Sequence, residues 1–245
     1  MIITVIGRGH SGTRAMSHTL SESSVYMGAQ LNGSGDLIPP DDLYEACRVF
    51  AKHVTFRRGL EWDFDGIDTM PIDPAFIRLV ESYLGSVLSS AEPLKGWKLP
   101  ETALILPWIV RLFPDIKYIY WLRDPRDSII GHHLTDDLAD FGIDYERTDD
   151  IRCRRAISWI YQYKLMLRTP SPANRIDVNF EDFVYNQDST LDRLSKFLGF
   201  PLAKIEARKE SVGRWRTDSD QHDFDFFPIE ALYNAPPEDR AESTL

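Results

Sequence analysis

Ten residues, Val5-Ile6-Gly7-Arg8-Gly9-His10-Ser11-Gly12-Thr13-Arg14, constrain this chain more than any other stretch. Ile2 to Ile6 is β-branched and apolar, the pattern of a strand buried on both faces. Gly7, Gly9 and Gly12 then punctuate a turn, and Thr13-Arg14-Ala15-Met16 opens a helical pattern. A strand, a glycine-rich turn and a helix start build a nest of backbone N–H groups at the positive end of a helix dipole. Such a nest suits a phosphate or sulfate group. Arg8, Thr13 and Arg14 crowd further anion donors into the same turn. Gly7 and Gly12 have the G-x4-G spacing of a nucleotide kinase loop, but Thr13 and Arg14 stand where that loop keeps its lysine and hydroxyl.

A second constellation lies about a hundred residues on. Tyr118 to Leu122 is another apolar run, and it ends abruptly in Arg123-Asp124-Pro125-Arg126-Asp127. In open α/β sheets, ligands sit just beyond the carboxyl ends of the strands, so Arg123 is expected in the same crevice as the first turn. A kinase-type second strand ends in an acid for the metal; this one ends in an arginine.

Charge narrows the partners. The formal charge of −10 disfavours nucleic acid and membrane surfaces. Residues 217–245 carry −7 of it and read as a solvated acidic tail with an aromatic anchor at Phe224, Phe226 and Phe227. Basic groups gather instead at the motifs: Arg8, Arg14, Arg123, Arg126, Arg208, Lys209, Arg214 and Arg216. Local arginine clusters on an acidic chain fit a small polyanion better than a polyanionic polymer. Cys47 and Cys153 have no paired spacing, which argues against a disulfide or zinc scaffold. With no basic leader and no apolar run of membrane-helix length, the expectation is a soluble, cytoplasmic protein.

Together the two motifs resemble the sulfotransferases that use 3′-phosphoadenosine-5′-phosphosulfate (PAPS). The family's K/R-S-G-T-T loop stands here as His10-Ser11-Gly12-Thr13-Arg14, and its F-P-x-x-K-x-I…R-D-P-R-D strand as Phe113 to Asp127. Val178 to Val184 with Leu191 to Phe200 resembles the family's R-Y-E-D-L strand and following helix. Arg208 to Arg216 is similar to its R-K-G-x-x-G-x-W-K segment. The resemblance implies an α/β single domain over residues 1–216, a mostly parallel β-sheet flanked by helices in the P-loop NTPase-like sulfotransferase fold. It implies sulfuryl transfer from PAPS, without a metal, to a hydroxyl or amine of a small-molecule or carbohydrate acceptor. It assigns the cofactor to Arg8, Gly9, His10, Ser11, Gly12, Thr13, Arg14, Arg123, Phe180, Arg208, Lys209 and Arg214. Lys98, in Lys98-Leu99-Pro100, resembles either the K-x-P lysine facing the transferring sulfate or, aligned to the family's K-x-H-L-P version, the position of its base histidine. Glu101 is the candidate general base, with Asp36 the alternative and His132 or His133 lining the cleft.

Three positions depart from the family. His10 replaces a lysine or arginine, with the expected role of donating to the bridging oxygen as imidazolium, since an adjacent anion raises its pKa. Gly131 stands where the 3′-phosphate serine normally lies, eight residues after the arginine, and Glu210 replaces the glycine of R-K-G. Two other readings stay open: a P-loop small-molecule kinase and a catalytically inactive nucleotide-binding homologue.

Periodicity predicts helices over Thr13–Ser21, Asp41–His53 (capped by Asp41 or Asp42), Asp73–Ser89, Glu101–Leu112, Ile151–Leu167 and Ser189–Leu198. It predicts further strands over Ser24–Met27, Leu94–Lys98, Tyr118–Leu122 and Arg175–Phe180. The 28–40 and 133–150 segments read as long loops of the kind that bind substrates, and the 55–70 and 133–150 segments offer Trp62, Phe64, Phe141, Tyr145, Asp136 and Asp137 as candidate acceptor contacts.

Overall fold

The computed structural model describes residues 1–220. The proposed aromatic anchor at Phe224, Phe226 and Phe227 lies outside these residues, as does most of the acidic tail.

The chain runs β1 (Ile2–Ile6), α1 (Thr13–Glu22), α2 (Asp41–Ala51), β2 (Thr55–Arg58), β3 (Glu61–Asp63), α3 (Pro74–Tyr83), α4 (Gly85–Leu88) and β4 (Lys95–Lys98). It continues through α5 (Leu106–Leu112), β5 (Lys117–Leu122), α6 (Pro125–Ser128), α7 (Ile151–Arg168), β6 (Arg175–Asn179), α8 (Phe180–Tyr185) and α9 (Gln187–Leu198). The main sheet has the order β4-β1-β5-β6, with every neighbouring pair parallel. All four strands therefore end on one edge, and that edge carries the chemistry.

Helices cover both faces. Successive residues of β5 point to opposite sides. Tyr118, Tyr120 and Leu122 join the core beneath α2, α3, α5 and α7, while Ile119 and Trp121 join the smaller core beneath α1, α8 and α9. Trp108, fully buried, centres the first core, with Phe50 and Phe76 edge-on to it at ring distances of 5.2 and 4.8 Å. No helix among the described residues is long and apolar enough to cross a membrane.

Several boundaries differ from those predicted. Residues 100–105 form a 3₁₀ turn before α5 rather than one continuous helix. Pro107 accounts for the break: it lacks an N–H and its ring clashes with the carbonyl four residues back. The 73–89 helix is interrupted at Leu84, and Asp73 caps its start by accepting from Ala75 N–H at 2.7 Å. The cap position of α2 is Pro40; Asp41 and Asp42 lie in its first turn, where they complement the dipole without capping. Residues 24–27 contribute one bridge, Tyr26 to Lys95, rather than a strand. Phe180 opens α8 instead of closing β6. The antiparallel pair β2–β3 falls outside every predicted element; it turns at Gly59 and sets Phe56 opposite Trp62.

Candidate functional site

Each strand of the sheet delivers a residue to one cleft of about 620 Å³. Beyond β1 lies the 7–12 turn, beyond β4 Lys98 and Pro100, beyond β5 Arg123, and beyond β6 Phe180. Gly12 holds the cap position of α1 at φ 91° with no side-chain cap, so the first N–H groups of that helix open into the cleft. Only glycine suits this point: a Cβ there would sit 2.6 Å from the Phe180 ring.

Gly9, His10, Gly12, Thr13 and Arg14 line the cleft, and so do Lys98, Arg123, Phe180, Arg208 and Arg214. Arg14, Arg208 and Arg214 are exposed and make no ion pair among the described residues. The cleft is two-sided. Toward β6 it is walled by Phe180, Phe183 and Val184; toward β4 it meets Ser34, Asp36, Lys98 and His133.

Four predicted site residues do not line it. Arg8 is turned away and buried, donating to Ser128 O at 2.8 Å and to Asp136 Oδ1 at 2.5 Å. Ser11 donates its hydroxyl to Arg8 O at 2.5 Å, which folds the turn onto itself. Lys209 is exposed outside the cleft, as is Glu210, so the acidic replacement does not face the anion site. Glu101 is 1% exposed and lies behind the lining.

His10 corrects the expectation most sharply. Its φ is 61°, and its Nε2–H donates to His132 O. Nδ1 rests against Gly131, where a Cβ would lie 2.6 Å from it. Nε2 is thus taken up by a backbone carbonyl, although the residue lines the cleft. Burial lowers its pKa, opposed by the hydrogen bond to the His132 carbonyl and reinforced by the Arg8 charge. The imidazole thus fills the space that a side chain at position 131 would occupy. The two departures at His10 and Gly131 are one packing solution.

At the β4 side, Lys98 is buried and donates to Ser34 O at 2.7 Å and to Asp36 Oδ1. Asn32 Nδ2 donates to the other Asp36 oxygen at 2.8 Å. Burial lowers the Lys98 pKa, opposed by the Asp36 carboxylate. His133 Nδ1 accepts from Thr135 N–H at 3.2 Å, so the neutral ring carries its proton on Nε2, 3.9 Å from Glu101 Oε1. Burial, with Arg8, His10 and Lys98 nearby, pushes His133 down to about 3. Glu101 rises to about 7, chiefly through burial, with Asp36 adding to it and Lys98 opposing. His132 contributes its carbonyl rather than its ring.

The suggested acceptor contacts belong to the scaffold. Trp62 and Phe64 pack on Tyr161, Phe141 on Tyr44, and Tyr145 donates to Asp137 Oδ1 at 3.0 Å. From the two long segments only Ser34, Asp36 and His133 reach the cleft. Ser211, also in the lining, went unnoticed in the sequence because its contribution is a backbone carbonyl, which accepts from Arg123 Nη2.

The model of the Sulfotransferase family matches residues 3–204. The chain belongs to the sulfotransferase family. Among solved structures, the sulfotransferase domain of the Synechococcus PCC 7002 olefin synthase superimposes with a TM-score of 0.56 at 14% identity, covering 99% of this chain and 93% of its own. The sulfotransferase domain from the curacin biosynthetic pathway gives 0.51 at 18% identity, over 82% of this chain and 75% of its own. At these identities the likeness is one of fold. No curated protein matches the sequence. In this member of the family the glycine turn, the strand-end arginine, and Arg208 and Arg214 of the 208–216 segment surround one cleft.

Two outcomes follow from the packing. The Glu101 pKa of about 7 against 4.5 in the unfolded chain means the native state holds a proton that the unfolded state has lost. Stability therefore falls as pH rises from 4.5 to 7. At pH 8, Glu101→Gln unfolds later than wild type by on the order of 3 kcal/mol, a gap that closes toward pH 4, as denaturant titrations at both pH values check. Gly131→Ser expels the His10 ring and costs about 1–3 kcal/mol, and adding His10→Ala recovers part of that loss. A double-mutant cycle with a coupling below about 0.5 kcal/mol would refute the shared packing.

Proposed function

We propose that this sulfotransferase transfers a sulfuryl group from PAPS to a hydroxyl or amine on a small polar acceptor. The observation that supports this reading is the uncapped start of α1 together with Arg14, Arg208 and Arg214, exposed and unpaired among the described residues, around a cleft apolar at one side only. The residues fit the donor: buried Arg123 keeps its Nε without a partner and its guanidinium 4.5 Å from the Phe180 ring centre.

PAPS supplies an activated sulfuryl group on a phosphate leaving group. The α1 N–H groups, Thr13 and Arg14 would hold its 5′ end and offset charge on the leaving phosphate. Arg123, Arg208 and Arg214 would hold the 3′-phosphate, beside Phe180 and Phe183 for the adenine. Lys98 orients the transferring group from the β4 side. The geometry favours Asp36 over Glu101 as the acceptor's proton partner, because Asp36 lines the cleft and Glu101 does not. As the acceptor oxygen or nitrogen would bond to sulfur, the sulfur's bond to the phosphate oxygen would break, adenosine 3′,5′-bisphosphate would leave with the electron pair, and the acceptor's proton would pass to the Asp36 carboxylate. A polar lining of Ser34, Asp36, Lys98 and His133 favours a hydroxylated or amine-bearing acceptor.

Calorimetric titration with adenosine 3′,5′-bisphosphate (PAP) tests the donor. Metal-independent binding, weakened at least tenfold by Arg123→Ala, is expected from the loss of a charged hydrogen bond worth about 1.5–3 kcal/mol. Binding of ATP alone, and only with Mg²⁺, would overturn the reading in favour of a kinase. Asp36→Asn lowers kcat by roughly 10²–10⁴ in single-turnover assays, the usual range for a lost acid–base group; a decrease under tenfold would remove Asp36 from the proton step.

A further inference from the structure

Asp127 is 2% exposed, lies outside the cleft lining and has no part in the transfer described above, yet its carboxylate accepts three hydrogen bonds, two of them from the 208–216 segment. Its Oδ2 accepts from Gly213 N–H at 2.7 Å and its Oδ1 from Trp215 N–H at 3.0 Å. Those two amides flank Arg214, whose side chain reaches the cleft. The same Oδ2 accepts from Arg123 Nη2 at 3.2 Å. One carboxylate therefore grips the backbone on both sides of one cleft arginine and the guanidinium of another.

Neighbouring contacts hold the same geometry. Arg123 Nη2 donates to Ser211 O, and Nη1 donates to His10 O at 2.9 Å, so Arg123 spans the 7–12 turn and the 208–216 segment. The Arg126 guanidinium lies 3.8 Å from the Trp215 ring centre. Gly213 turns the chain at φ 74°, which lets its N–H and that of Trp215 converge on one acceptor group. Residues 208–216 contain no helix longer than a 3₁₀ turn and bury no side chain in either of their two turns. Apart from Val212, which packs partly buried against the smaller core, their contacts here are polar, and the central one is Asp127.

We infer that Asp127 is a positioning residue that sets Arg123 and Arg214 as a single anion clamp, so that donor affinity depends on a carboxylate that never touches the donor. The inference rests on the proposed donor, and it assigns to the second acid of Arg123-Asp124-Pro125-Arg126-Asp127 a role distinct from that of its first arginine. A buried carboxylate receiving two backbone N–H groups and a guanidinium makes charge-assisted hydrogen bonds, each stronger than a neutral one.

The test compares wild type, Asp127→Asn, Arg214→Ala and the double variant, with PAP as the probe and fold checked by circular dichroism. Asp127→Asn should raise the PAP Kd and the PAPS KM roughly tenfold or more, with kcat at saturating donor within about threefold. Arg214 is exposed, so Arg214→Ala leaves the fold intact, and the double variant should be no worse than Asp127→Asn alone. Additive losses, an unchanged Kd, or a loss confined to kcat would overturn the inference. Limited trypsin digestion gives a readout that needs no ligand. Cleavage after Arg208, Lys209 and Arg214 should accelerate at least tenfold in Asp127→Asn, and equal rates in the two proteins would also overturn it. If wild type fails to bind PAP while the variant is cut faster, the donor assignment falls and the positioning role stands.

Discussion

The ion pair between Arg8 and Asp136 is the contact on which the site's shape depends. Both side chains are 4% exposed, so neither charge is tolerable without a partner. Burial lowers the Arg8 pKa, and the Asp136 carboxylate opposes that shift without cancelling it. Arg8 also donates to Gly9 O and Ser128 O, and Asp136 also accepts from Arg155 Nε at 3.2 Å and from His133 N–H at 2.7 Å. The glycine turn, the segment after α6 and the start of α7 are thereby locked together. His133 is held against Gly9, and the His132 carbonyl is presented to His10. Deleting Asp136 strands the buried Arg8 and costs about 3–5 kcal/mol, whereas Asp136 without Arg8 keeps Arg155.

This explains which parts of the site were legible in the sequence. The strand–turn–helix over residues 2–22, the arginine after β5 and the parallel sheet were all readable, because burial on both faces leaves continuous apolar runs and an abrupt change to charge at the strand end. The site at that edge follows from topology rather than from any single residue. What could not be read was the direction of each side chain. Arg8 and Arg14 are both arginines in one turn, yet one is buried against Asp136 and the other exposed in the cleft. The difference lies in Asp136, 128 positions away in the chain, and no local pattern reports it.

The same limit applies to His10 and Glu101. Each occupies a motif position that suggests direct chemistry, and each is diverted by a partner distant in sequence. His10 is drawn to the His132 carbonyl because Gly131 leaves room for its ring. Glu101 lies in a 3₁₀ turn that begins at Pro100 rather than in an α-helix, and that turn buries it, with its carbonyl oxygen 3.7 Å from Cys47 Sγ. The β2–β3 pair was legible in principle, as two short runs about Gly59, but the long polar stretch around it hid the alternation.

The arginines divide by solvent exposure, and that division separates construction from recognition. Removing a guanidinium from water costs several kcal/mol, so a buried one must be saturated by fixed protein acceptors. Arg8 commits both terminal nitrogens to Gly9 O, Ser128 O and Asp136, leaving only Nε unpartnered, and builds the wall. Arg14, Arg208 and Arg214 keep their hydration and are paired with no described residue, so an arriving polyanion exchanges only water for charge. Arg123 stands between the two classes: 7% exposed, bound to His10, Ser211 and Asp127, yet open to the cleft and with Nε unpartnered. Its fixed contacts orient it before any ligand arrives, which lowers the entropy lost on binding. A net charge of −10 does not oppose this, because screening beyond about 8–10 Å leaves the nearest groups to decide what the cleft attracts.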